Sequence, residues 1–396
     1  MEPKLAYLAQ GKLFYRENGN SQLIDSQYGQ DVVRRALERQ AKNEWKTEGQ
    51  SSSALFSRQS LWGAGGNNAN AINVRVTTVL PGKSDDEIMY VVSTESVGGL
   101  FVCDLKTKKE TRLFHKEKLY LSDMSRQPDG DLLLCALKMT NGTSRIAVVD
   151  GNAVNEITEG DSIDECPSWV AGGGKKIVYQ SAGVARNQRG VMVGVGNSCV
   201  QKLDLTTGAL DTVVEKDDFD YLTPRMTAQG DLFAIRRPYE APFKRSYPAH
   251  KILLDVLLFP FRLGRAIFSY LNFFSLTFSQ KPLTTASGPK IEGLDEKMLF
   301  LRGRLIDTEL TLQKQANDAD APSLVPKTWQ LIRRDASGKE TVLADSVLSF
   351  DFAKDGSIVY TTGISVFHMN ADGSGRKVLF KDKLVDTVVV LDDKMT

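Results

Sequence analysis

The chain has 396 residues, with 50 Lys plus Arg against 49 Asp plus Glu and 41% hydrophobic residues. Balanced charge excludes nucleic-acid binding by bulk electrostatics, because that affinity rests on neutralising phosphates. The length would allow two or three domains, yet one repeating pattern runs through it and predicts a single unit, 1–396.

The opening residues supply three short strands, KLAYLAQ, KLFYREN and SQLIDSQ. No basic stretch followed by an apolar run precedes them, so no secretory signal is expected. Next comes QYGQDVVRRALERQAKNEWKT. Val33, Leu37, Ala41 and Trp45 recur every fourth residue, which predicts a surface helix over 27–48. Ser- and Gly/Asn-rich linkers follow it.

From Ile72 onward a four-strand grammar repeats. The first copy is NVRVTTVL, EIMYVVST, GLFVCDL and ETRLFHK. Later copies place a turn between their first two strands at Asp129-Gly130, Gly172-Gly173, Gln229-Gly230 and Asp355-Gly356. Alternating apolar residues broken by Gly turns mark antiparallel meanders. A unit of roughly 40 to 45 residues with four strands is the mark of a β-propeller blade. The C-terminus carries one spare strand, LVDTVVVLDD, which would complete the three N-terminal strands as a blade. Closure of that kind removes exposed sheet edges. The fold expected is all-β: a propeller of six blades, with seven as the alternative, sealed by both termini in one blade and carrying a helical insertion.

The insertion spans 239–328, about 90 residues where a hairpin needs a few. Its apolar stretch, 251–279, is read as helices carrying Leu254, Leu257, Leu258, Phe259, Phe261, Arg262, Arg265, Phe268, Tyr270, Phe273 and Phe274. The runs on either side of the arginines are too short to span a bilayer. They suit burial on the propeller, a protein interface, or an anionic membrane surface met by Lys244, Arg245, Lys251 and Lys281.

Chemistry is sparse. His115, His250 and His368 have no partner at metal-ligand spacing, and no nucleophile elbow occurs. Gly194-Val-Gly196 lies between strands and lacks the helix a phosphate cradle needs. Cys103, Cys135, Cys166 and Cys199 show no C-x-x-C spacing and read as thiols without disulfides. The expectation is therefore no cofactor and no metal. Asp123, Asp164 (with Glu165), Asp220 and Asp386 each stand near the start of an innermost strand, so they could meet at one channel mouth and attract a cation or a basic segment. The bland alternative is that each Asp ends a loop through local hydrogen bonds.

On PSWVAGGGKKIVYQS with KLDLTTGAL, on FDFAKDGSIVYTTGISVFHMNADGSGRKVL and on SRQPDGDLLLCAL, the chain resembles the WD40-like units of TolB-type six-bladed propellers, as a divergent bacterial member. The resemblance implies that Trp169 fills the gap between two blades, with Met124, Met226 and Phe350 near the equivalent place. The function expected is a non-catalytic scaffold for a protein partner, cytoplasmic or peripheral on the inner membrane face. A membrane-anchored propeller and a hydrolase or lyase using channel carboxylates are the alternatives.

Overall fold

The computed structural model describes residues 2–47, 74–94, 97–117, 119–128, 130–240, 298–302, 304–307 and 322–391. The apolar stretch 251–279, with Leu254 to Phe274 on it, lies outside these residues. Among those described, six antiparallel four-stranded units form a β-propeller, as the Gly-punctuated meanders require. Their inner strands are Arg75–Pro81 in blade 1, Leu121–Arg126 in blade 2, Ser162–Trp169 in blade 3, Phe219–Met226 in blade 4, Ser349–Phe352 in blade 5 and Val385–Val390 in blade 6.

Blade 6 is the composite one. Val385–Val390 pairs with Leu5–Ala9, Leu5 opposite Val390 and Tyr7 opposite Val388, and Lys12–Glu17 and Asn20–Ile24 complete the sheet. The Leu391 amide adds a bond to the Lys4 carbonyl. The ring therefore closes through the termini, with six blades rather than seven.

Alternation along each strand sends successive side chains to opposite faces, so every blade feeds two interfaces. The apolar clusters follow that rule around the ring. Ile88 and Tyr90 of blade 1 face Leu8 and Leu13 of blade 6, while Met89 and Val91 face Leu133 and Cys135 of blade 2. Trp169 joins Leu134 and Ile146 between blades 2 and 3, and its indole donates to the Ser125 carbonyl at 3.3 Å. Pairing register identifies the residues that stand where Trp169 stands: Arg126, Met226 and Phe352. Met124 and Phe350 lie two residues earlier, at the level of Pro167, and pack elsewhere in their interfaces.

Inner strands have no further strand on the channel side, and side chains stitch neighbouring blades there instead. Thr78 Oγ1 accepts the Met124 amide, Gln180 Oε1 the Thr223 amide, and Asp351 Oδ2 the Val390 amide. Each bond satisfies a buried donor that would otherwise be costly.

The helix Gln27–Thr47 follows Asn20–Ile24. Ser26 caps it through Oγ to the Gly29 amide, and Glu110 of blade 1 accepts from the Gln27 and Tyr28 amides. Carboxylates suit helix N-termini because the first amides lack helical partners. All four cysteines are buried free thiols. Among the described residues no helix is long and apolar enough to cross a membrane.

Candidate functional site: the plugged channel

Three inner strands break register at the same place, between Ser122 and Ser125, Glu165 and Ser168, and Leu222 and Arg225. At each break a non-glycine residue takes a left-handed backbone: Asp123 (φ 49°), Cys166 (φ 53°) and Thr223 (φ 48°). Bulges of this kind re-aim a side chain, and the strain they cost recurs in blades 2, 3 and 4. All three residues line the channel, together with Thr78, Ser349 and Thr387 from the other inner strands.

The channel holds part of the insertion. Met298–Leu301 and Arg304–Asp307 form a hairpin that pairs with itself and with no blade. Its turn residue, Arg302, has φ 46° and enters the channel. There Nη1 stands 3.6 Å from Asp123 Oδ1, and Nη2 lies 3.5 Å from the Asp386 carbonyl. Burial works against the Arg302 cation, but Cys166, Asp123, Asp386 and Glu165 around it hold its pKa above the usual value. Burial pushes the Asp386 carboxyl up to about 6, opposed by Arg302. Burial also raises Glu165, against the attraction of Lys138, and raises the Cys166 thiol well above its ordinary range.

Next to the turn, Arg304 Nη2 meets Asp220 Oδ2 at 3.1 Å, and Arg237 Nε meets the same oxygen at 2.9 Å. Asp220 Oδ1 accepts the Ser198 amide at 3.0 Å. Arg237 in turn donates to the Arg302 carbonyl at 2.8 Å and stacks 4.8 Å from the Trp329 ring. Its pKa is lowered to about 10 by burial, offset by Asp220.

The four acidic candidates thus separate. The Asp123 carboxylate and the Asp386 backbone carbonyl contact Arg302, and the Asp386 and Glu165 carboxylates lie close enough to favour its charge. Asp220 serves the buried Arg237 and the hairpin's own Arg304. Asp164 turns aside and accepts from Ser181 Oγ at 2.7 Å. Arg302, Arg304 and Arg237 escaped the sequence reading, although LFLRGRLID, apolar flanks about an Arg-Gly turn, is a hairpin signal of the kind used elsewhere in the chain. Among the described residues no group of three or more His, Cys, Asp or Glu is arranged to hold a metal ion.

These features define a six-bladed β-propeller whose channel is filled by its own arginine. No protein-family model and no curated protein matches the sequence. Among solved structures, TolB from Acinetobacter baumannii superposes with a TM-score of 0.50 at 12% identity, over 98% of this chain and 66% of that one. The chain therefore spans just under two thirds of that TolB. A chain of the nidogen/laminin complex gives 0.49 at 7% identity, over 99% of this chain and 100% of that chain. The tricorn protease gives 0.44 at 11% identity, over 98% and 34%. The fold is that of a TolB-like propeller.

Proposed function

We propose that this protein is a non-catalytic propeller scaffold that binds a protein partner through the face bearing the 239–328 insertion. One observation carries the reading. The channel is occupied by Arg302, which contacts the Asp123 carboxylate and the Asp386 carbonyl. A guanidinium fixed in the channel blocks the approach of a substrate to the Asp123 carboxylate it contacts. Contact chemistry then falls to the insertion. Its segment 251–279, with Phe259, Phe261, Phe268, Tyr270, Phe273 and Phe274 on either side of Arg262 and Arg265, has the aromatic and Arg content of interface anchors.

The test is a deletion of 241–297 that keeps the channel hairpin. Partners recovered by affinity purification from the native host should be lost on deletion while the denaturation midpoint stays within about 1 kcal/mol. Unchanged recovery would remove the scaffold reading as stated. Sedimentation with anionic vesicles, done in parallel, separates a protein partner from a lipid surface. Loss of vesicle binding alone would move the insertion to a membrane role.

A further inference from the structure

The channel cluster has more acceptors than Arg302 uses. Bidentate guanidinium–carboxylate pairs sit at about 2.8 Å, whereas Arg302 stands 3.6 Å from the Asp123 carboxylate and 3.5 Å from the Asp386 carbonyl. Among the described residues, neither Asp386 Oδ1 nor Thr223 Oγ1, both buried, has a hydrogen-bond partner. Both residues belong to inner strands that face the cluster. Glu165 stands 3.7 Å from Lys138 Nζ and accepts from Gln180 Nε2 at 3.4 Å. Buried polar atoms are rarely left unpaired without a reason.

The occupant also stands outside the blade ladders. The hairpin adds no strand to any blade, because blade 4 pairs Leu232–Pro238 directly with Gln330–Arg334. Among the described residues its contacts with the propeller are those of Arg302, of Arg304 with Asp220, Glu240 and the Pro238 carbonyl, the Arg237 bond to the Arg302 carbonyl, and Ile306 in the apolar cluster between blades 4 and 5. Withdrawing it leaves every blade ladder intact.

We propose that the channel is a guanidinium-binding site that Arg302 fills in cis, and that an arginine side chain presented by a partner protein competes with the hairpin for it. Three carboxylates, Asp123, Glu165 and Asp386, supply the charge, with Arg75, Lys138 and Arg225 as the flanking cations and Cys166 as the remaining titratable neighbour. A free volume of about 60 Å³ lies beside Arg302. Hairpin and partner would draw on the same acceptors, so each displaces the other. This reading is independent of what the 251–279 segment contacts.

The probe is ethylguanidinium, with ethylammonium as the control for charge without the planar fork. R302A is expected to show a saturable rise in melting temperature with ethylguanidinium at low millimolar concentration. The unmodified protein should show none, and adding Asp386→Asn to R302A should weaken the response at least about tenfold, the scale of losing a charged hydrogen-bond acceptor. No saturable response, an equal response to ethylammonium, or an equal response in the unmodified protein would overturn the proposal. R302Q, which keeps a polar side chain, is titrated in the same way and decides by the same outcomes should R302A not fold. In the unmodified full chain, excess tetra-arginine peptide should speed hydrogen exchange of the Leu305 and Ile306 amides relative to tetra-lysine. Equal exchange with both peptides would refute the competition.

Discussion

Tyr7 and Val388 stand opposite each other in the strand pair that joins the two ends of the chain. Val388 is 1% exposed and packs with Val359 and Val366 of blade 5 as well as with Tyr7. A single position therefore serves both the closing ladder and the blade 5–6 interface.

Truncating Val388 to Ala is expected to lower stability by about 2 kcal/mol, from lost methyl burial and the cavity left behind. Val388→Asp would place an unpaired charge in the same site and should leave the chain largely unfolded at 25 °C. Urea denaturation followed by tryptophan fluorescence reads both. A Val388→Asp midpoint matching the unmodified protein would mean the ring does not depend on this closure.

The interface between blades 2 and 3 has the smallest of the six buried apolar clusters, and Trp169 is its largest member. Trp169→Ala is expected to cost about 3 to 5 kcal/mol. Trp169→Phe keeps most of the apolar contact and loses the bond to the Ser125 carbonyl, so about 1 kcal/mol is expected. Arg126, at the matching position in blade 2, pairs with Asp131 at 3.6 Å and donates to the Gly82 carbonyl. Because the Asp131 side chain is largely exposed, Arg126→Ala should cost only about 1 kcal/mol. Equal losses for Trp169→Ala and Arg126→Ala would show that the Trp is not the anchor.

The blades were readable because Gly turns and period-two alternation are local signals, and Asp355-Gly356 or Gly172-Gly173 sits inside its own meander. The closure was readable because three strands at one end and one at the other complete a set of four. The channel was only partly so. Asp123 and Asp386 could be placed near the channel from their strands, but the bulge that turns Asp123 inward depends on pairing with Leu133–Lys138. Arg302 carries no local mark of its destination: its partners come from blades 2, 3 and 6. Asp220 is the instructive case. From sequence it looked like a twin of Asp123, and only three-dimensional packing gives it two arginines.

That difference has a measurable consequence. Asp220 is 4% exposed and shared by Arg237 and Arg304. Asp220→Asn leaves the buried Arg237 without its counter-charge and is expected to cost about 3 to 5 kcal/mol. Asp123, with 24% of its side chain exposed to the channel and a longer contact to Arg302, should lose about 1 kcal/mol or less as Asn. Comparing the two variants by chemical denaturation checks this. Indistinguishable values would mean that the Arg237–Asp220–Arg304 arrangement contributes nothing to folding.

Asp386 adds a pH dependence of unusual sign for a carboxylate. Its folded pKa is raised to about 6, by burial opposed by Arg302, whereas an unfolded Asp titrates near about 3.9. A group raised on folding binds its proton more tightly in the native state. Its contribution is therefore complete below the unfolded pKa and disappears as pH climbs through the folded one. A shift of this size corresponds to at most about 3 kcal/mol. Other carboxylates pull the opposite way: Asp104 and Asp204 are held below their usual range by backbone amides of their own turns, and so favour folding at higher pH. The Asp386 share is isolated by the difference between the unmodified protein and Asp386→Asn. Relative to the variant, the unmodified protein should gain stability steadily from pH 7 down to about 4. Denaturation midpoints at half-unit intervals measure the two curves. Parallel curves across that window would show that the Asp386 carboxyl is not buried in the channel as its position beside Arg302 demands.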